Sequence, residues 1–556
     1  MAFRERSLQW RFALVGTCVA LVSGACGHGR THLDRAAGVA TPTTLSADET
    51  STTAAATTTD QTGTPSAGAG AKSATKGRTT STTRPAAGVA APRRRRGGPA
   101  QPGPVTFHVY DRNGTRLDWS AFRAVEENGK GSAGSNDMLL DPDTLTVVTP
   151  QPLHSNGGDP GFDLPPQIVT LSLSWPTVDG YSMLLVDVDK PGVQNFSVLA
   201  ADRAVADLDD AVAARPSYRP SAAFTDASRQ AHDHLAAAHG VAPEAAQGAQ
   251  GAQGLDSAVH AMTTLLTEYG QQYGRATRAT NRPQWGVTFD DISGGSGDLA
   301  TVRDLVGGDA ADGWVRIVFD RTEAASSYTG EVNAAHGLGL RVVGQFLDSS
   351  DMKSVGVAEW QARVASYVST LPSVDEWEVG NEVNGNWLGA DVAAKVAYAA
   401  SYVKAHTTAR TLLTLYWQIG EDDATHSMFT WLHANVSAAT MGAIDDVGIS
   451  LYPEDHPMGA AFDRVMATLH DAAPGRRIMV TELDYWSPDL AHTWWWGSTG
   501  DPTGAARRQV AVLYQSAVLG YQWSGGGGYW WYYLAEALPK NQLWSTLASV
   551  HAAVAG

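Results

Sequence analysis

The chain has 556 residues, more than one hydrophobic core ordinarily supports, so several folded units joined by linkers are expected. Its net charge of −17 is unevenly spread: residues 1–104 hold 13 Lys and Arg against 5 Asp and Glu, which leaves −25 for the remainder. An acidic field of that size repels phosphate backbones, which argues against nucleic acid as a partner and favours neutral glycans over polyanions.

At the N-terminus, Arg4, Arg6 and Arg11 flank an apolar stretch from Phe12 to Ala25 that has signal-peptide length and is short for a membrane span. Residues 1–25 are therefore read as an export signal. The ending "LVSGAC" resembles a bacterial lipobox with Cys26 as the acylated residue, although Ser23 stands where Leu is usual. Two outcomes stay open: membrane attachment through lipidated Cys26, or cleavage after a small residue to give a freely secreted protein. Cys18 and Cys26 are the only cysteines, so neither a disulfide framework nor a Cys-based metal site is available.

Residues 26–104 are rich in Thr, Ala, Ser and Pro with almost no large apolar side chain, which predicts a disordered tether. The run Arg93 to Arg96 within it reads as a solvated charge cluster. Over 105–200 the pattern changes to short apolar runs of period 2, such as "VTFHVYD" and "SMLLVDV", which predict a small β-sandwich-like module. The run "VTLSLSWPTVDGYSMLLVDV" faintly resembles two strands of a fibronectin type III module. Either glycan binding or bracing of the next domain would suit it. Residues 201–282 predict a helical connector with Val259, Met262, Leu266 and Tyr269 on one buried face, interrupted near Gln247 to Gly254.

From 283 to 556 one theme repeats. Eight apolar runs begin near Trp285, Trp314, Arg341, Trp377, Thr411, Asp446, Arg477 and Gly528, each followed by a helical stretch. This predicts an α/β (β/α)8 TIM barrel. No Gly-rich phosphate loop follows Phe289, as a doubly wound sheet would usually have.

Active sites of such barrels lie at the C-terminal ends of the strands. The fourth run ends "WEVGNE", which puts Asn381 and Glu382 at the mouth, and the seventh ends "MVTE", which puts Glu482 there. Strands four and seven face each other across the barrel, so both carboxylates can meet over one substrate. Glycosidic bond cleavage needs such a pair, one carboxyl holding a proton for the leaving oxygen and the other ionised. With the carboxyls about 5 to 5.5 Å apart, Glu482 attacks the anomeric carbon and Glu382 serves first as acid and then as base; a wider gap implies inversion.

"WEVGNEVN" followed by "IMVTELDYW" resembles the clan A glycoside hydrolases, most closely family 39, with families 5 and 53 behind it. The resemblance covers the barrel, roughly half the chain. It implies Glu382 as acid/base and Glu482 as nucleophile. Arg316 then lies beside the nucleophile, Asn381 bonds the sugar hydroxyl next to the anomeric carbon, and Tyr452 contacts the nucleophile. Trp531 floors the sugar subsite, or Trp530 does if the strand register is shifted by one. A His common near strand five or six of that clan has no match here.

Aromatic residues are dense late in the chain: Trp417, Trp486, Trp494 to Trp496, Trp523, Trp530 and Trp531. Indoles stack on the apolar faces of sugar rings, so Trp495, in the loop after strand seven, is read as a further substrate-binding residue. His456 and His492 are scattered, and neither a metal nor a cofactor is expected. The expected activity is retaining hydrolysis of a cell-envelope or extracellular polysaccharide or oligosaccharide. A glycan-binding surface lipoprotein without catalysis, or a transglycosylase, would draw on the same residues.

Overall fold

The computed structural model describes residues 97–126, 137–290, 296–306, 313–419, 424–453, 456–485, 502–531 and 540–555. The export signal, Cys26, nearly all of the tether, and Trp486, His492 and Trp494 to Trp496 lie outside the described residues.

Nine strands come first: β1 (Gly103–Tyr110), β2 (Arg116–Leu117), β3 (Met138–Leu140), β4 (Val147–Pro150), β5 (His154–Asn156), β6 (Asp159–Leu164), β7 (Val169–Thr177), β8 (Gly180–Val188) and β9 (Gly192–Asn195). They form two sheets, one ordered β2-β1-β6-β5 with β9 added parallel to β1, the other ordered β4-β3-β7-β8. Phe107, Phe122, Phe162, Trp175 and Phe196 pack in one core with both sheets. The β7–β8 hairpin is buried on both faces. Leu184 and Val186 join that core, whereas Met183 and Leu185 join the core continuous with the barrel. Burial on both faces is why "SMLLV" reads as an unbroken apolar run.

Three helices follow, Phe196–Ala213, Ala222–Gly240 and Glu244–Thr277. Asn195 and Ser221 cap the first two, their side chains accepting from the N–H groups of Val198 and Phe224. The break expected at Gln247 to Gly254 is absent, and the third helix runs unbroken for 34 residues. Its glycines are there for close approach: a Cβ at Gly248 would fall 2.2 Å from the Tyr110 ring, and one at Gly251 would fall 2.7 Å from the Ser197 backbone. Composition that reads as loop is here a helix face pressed against the sandwich.

The remaining strands are β10 (Trp285–Phe289), β11 (Gly313–Val318), β12 (Arg341–Gln345), β13 (Glu376–Gly380), β14 (Arg410–Tyr416), β15 (Asp446–Leu451), β16 (Arg477–Leu483), β17 (Ser524–Gly527) and β18 (Trp530–Trp531). All pair in parallel, and β18 closes the ring by bonding both β10 and β16. The fold is thus a closed (β/α)8 barrel with β17 and β18 as two halves of the eighth strand. Gly526 and Gly527 at the end of β17 and Gly528 just after it take positive φ, which lets the chain kink without leaving the barrel. The eighth strand therefore starts at Ser524, four residues before the expected Gly528.

The sandwich and barrel are bolted together. The helical connector adds Arg215, which pairs with Asp463 where both are buried. Arg464 reaches Asp187, Thr170 Oγ1 and the Pro142 carbonyl, and Ser182 Oγ accepts from the Ala460 N–H. A cavity of about 160 Å³ lies at this seam, with Met183, Leu185, Val259, Met262, Arg203 and Arg464 in its lining, and is separate from the barrel mouth. Among the described residues no helix is long and apolar enough to cross a membrane.

Candidate active site

The two glutamates singled out from the sequence both sit just past a strand irregularity. In β13 the pairing to β14 skips Val379, so Glu378 faces Leu412 and Gly380 faces Leu413. In β16 the pairing to β15 skips Thr481, so Val480 faces Ile449 and Glu482 faces Ser450. An extra residue of this kind re-aims the side chains that follow it. Gly448 on β15 makes room, since a Cβ there would fall 2.2 Å from Thr481 Cγ2.

Glu482 is fully buried and surrounded by donors. Arg316 Nη2 donates to Oε1 at 2.6 Å and Asn381 Nδ2 donates to the same oxygen at 2.8 Å. The Tyr452 hydroxyl donates to Oε2, and Trp531 Nε1 donates to that hydroxyl at 3.1 Å. Strand register explains the convergence. Arg316 stands inside β11, Tyr452 follows β15 directly, and Trp531 ends β18 opposite Thr288 of β10, whose Oγ1 accepts from Arg316 Nη1 at 3.3 Å. Trp531, not its fully buried neighbour Trp530, is the residue in the site.

Glu378, which the sequence motifs do not single out, holds the other side of Arg316. Its carboxylate accepts from Nε at 2.7 Å and Nη2 at 3.1 Å. Burial pushes the Glu378 carboxyl above its ordinary pKa, against the opposing pull of Arg316. For Arg316 burial disfavours the charge, yet Glu378 and Glu482 hold its pKa above the usual arginine value. A signal for Glu378 does exist in the strand pattern: with Trp377 and Val379 facing the helical layer, period 2 sends Glu376 and Glu378 to the barrel interior. Trp377 does stack on Phe346, 4.4 Å apart and 7° from parallel.

Glu382 is 4% exposed and has φ of +50°, a left-handed conformation that costs a glutamate roughly 1–3 kcal/mol. The surrounding loop holds it there. Its carbonyl accepts from the Gly385 N–H at 2.8 Å, and the Val383 N–H donates to the Thr414 carbonyl at 3.1 Å. Asn384 ties the same loop to β14, accepting from the Tyr416 N–H and donating to the Tyr416 and His426 carbonyls. Ser349, in the turn after β12, is not legible as a site residue from "QFLDSS". Its hydroxyl donates to Glu382 Oε2 at 2.6 Å and its backbone N–H donates to Asn381 Oδ1 at 3.0 Å. Glu382 and Glu482 are thus joined through Ser349 and Asn381.

Arg316, Asn381, Tyr452, Glu482, Trp531 and, through Ser349, Glu382 form one cluster; Trp495 lies outside the described residues. Beside the cluster an aromatic wall runs from half-buried Trp387, edge-on to Tyr416 at 5.4 Å, to His456, also edge-on to Tyr416 at 5.4 Å. Two other tryptophans of the expected cleft do not line it. Trp417 is buried and donates to the His456 carbonyl, and Trp523 precedes β17 at the opposite end of the barrel, stacked on His470. Among the described residues no three His, Cys, Asp or Glu side chains are grouped so as to hold a metal ion.

No protein-family model and no curated protein sequence matches the chain. Among solved structures it is similar to a GH113 beta-1,4-mannanase at 13% identity, over 49% of this chain and 99% of that one, with a TM-score of 0.35. It is similar to an endo-1,4-beta-xylanase of Penicillium canescens at 16% identity, over 51% and 97%, with a TM-score of 0.34. It is also similar to a mandelate racemase/muconate lactonizing enzyme of a marine actinobacterium at 9% identity, over 67% and 86%, with a TM-score of 0.29. Similarity at this level bears on neither substrate nor mechanism.

Proposed function

We propose that this chain is a retaining O-glycoside hydrolase of the clan A type, with Glu482 as nucleophile and Glu382 as acid/base. The observation that carries the reading is the contrast between the two glutamates at one barrel mouth. Glu482 accepts from Arg316, Asn381 and Tyr452, a set of donors that complements a negative charge and fixes the carboxylate for attack. Glu382 accepts instead from the Ser349 hydroxyl, whose backbone N–H holds Asn381. Two carboxyls so differently surrounded suit the two roles that glycosidic cleavage demands.

The first step breaks the glycosidic bond: Glu482 bonds to the anomeric carbon as Glu382 gives its proton to the departing oxygen. In the second, Glu382 takes a proton from water, whose oxygen displaces Glu482 from the sugar. Asn381 Nδ2, already aimed at Glu482, is placed to bond the neighbouring sugar hydroxyl, and Trp531 and Trp387 offer flat faces to sugar rings. Given the export signal and tether read from the sequence, the substrate is a cell-envelope or extracellular polysaccharide, reached by a protein that is secreted or anchored through Cys26. The sandwich, bolted to the barrel through Arg464, serves as a brace.

A panel of chromogenic aryl glycosides tests this. Turnover by the wild type that is lost in Glu482→Ala supports it. Intact glycan binding without turnover would instead favour a binding protein, and products longer than the substrate a transglycosylase.

A further inference from the structure

We infer that Ser349 is a positioning residue for the proposed acid/base, holding the Glu382 carboxylate through Oε2 and favouring its ionised form. The inference rests on the hydrolase reading for Glu382 but on its own contacts. Ser349 is 3% exposed, and its hydroxyl donates to Glu382 Oε2 at 2.6 Å. A donor to the carboxylate stabilises the charged form, which eases release of the proton in the first step.

The same residue couples the two glutamates. Its backbone N–H holds Asn381 Oδ1, which leaves Asn381 Nδ2 turned toward Glu482. That bond is main-chain and survives any change of the side chain, so Ser349→Ala isolates the effect on Glu382. The turn itself is fixed independently by Asp348, whose carboxylate accepts from the Ser350 N–H and hydroxyl. The titratable and charged groups around this corner are Asp348, Asp351 and Lys353 on the turn, Asp391 and Lys395 packed behind it, and Glu378, Arg316, Glu482, Tyr416, Tyr452 and His456 around the mouth. None of them is altered by the substitution.

The experiment compares Ser349→Ala and Ser349→Thr with the wild type on the aryl glycoside it hydrolyses best. In Ser349→Ala the basic limb of kcat/KM, which reports loss of the acid proton, should move up by roughly one pH unit, while the acidic limb stays. The rate should fall about tenfold with a poor leaving group and much less with 2,4-dinitrophenolate, which departs without a proton. Ser349→Thr, which keeps the hydroxyl, should restore the basic limb. An unmoved basic limb, or equal losses with both leaving groups, would overturn the inference and leave the hydrolase reading standing. If no glycoside is turned over, the hydrolase reading fails alone, because the Glu382 titration is still readable by carboxyl 13C NMR of glutamate-labelled protein, assigned by Glu382→Gln. An upward shift of that titration in Ser349→Ala supports the inference, and an unchanged one contradicts it.

Discussion

The barrel contains a carboxylate cluster at each end, and the proposed function assigns chemistry to only one of them. At the floor, Glu376 of β13 and Asp446 of β15 are both fully buried. Arg477 grips Asp446 through Nε at 2.6 Å and Nη2 at 3.1 Å, and Arg410 Nε adds a bond of 2.7 Å. Burial and the charge of Asp446 push Glu376 well above the ordinary carboxyl pKa. Asp446, although burial works against its charge, is held below its ordinary value by a hydrogen bond from Glu376 and by Arg477. Of the two, Glu376 is the one whose protonated form is favoured, and Gln284, itself bonded by the Tyr529 hydroxyl, donates to its carboxyl. At the mouth the two glutamates are joined through Ser349 and Asn381, and Glu482 accepts from Arg316, Asn381 and Tyr452. In the proposed function the mouth differs from the floor by its place at the C-terminal ends of the strands, not by the burial of two acids together.

Substitutions at the two ends should separate cleanly. Glu482→Gln is expected to lower kcat by at least roughly 1,000-fold with little change in thermal unfolding, whereas Glu376→Gln should leave turnover near wild type. Comparable losses from both would erase the distinction. Asp446→Asn strands Arg410 and Arg477 and should cost about 3–5 kcal/mol in denaturant unfolding, with the folded fraction fully active. At the mouth, Tyr452→Phe removes a donor from Glu482 and should lower kcat by roughly 10- to 100-fold.

The pH dependence of stability sharpens the floor half of the comparison. Because the folded-state pKa of Glu376 is raised, its contribution is fully present below the ordinary carboxyl value of 4.5 and is lost as pH rises toward the folded value. Glu376→Gln has no proton to lose, so its Tm should gain on the wild type as pH climbs from 4.5 toward neutrality. A constant difference would mean that Glu376 is already ionised. The smallest effect is expected for Trp531→Phe, which takes one hydrogen bond from the Tyr452 hydroxyl and should cost a few-fold in kcat/KM.

The barrel is legible in the sequence because its strands are buried apolar runs at regular spacing, and seven of the eight begin within a residue of where those runs do. The eighth is displaced because Ser524–Gly527 has almost no side chains to pattern; its pairing depends on backbone and on glycines at positive φ. Glu482 can be read from its place at a strand's end, and Tyr452 and Trp531 are singled out by the family resemblance at the ends of strands six and eight. Ser349 cannot, since a serine in a turn becomes a site residue only through the tertiary approach of β12 to β13. The glycines of Gln247 to Gly254 mislead for the same reason, their role being contact with Tyr110 and Ser197 far away in sequence.

The central claim is that Glu482 forms a bond to the sugar. A 2-deoxy-2-fluoro glycoside with an activated leaving group, matched to the sugar the enzyme hydrolyses, should trap the glycosyl ester, and peptide mass mapping should find it on the segment containing Glu482. A label recovered on any other residue would contradict the account, as would release of product with inverted anomeric configuration.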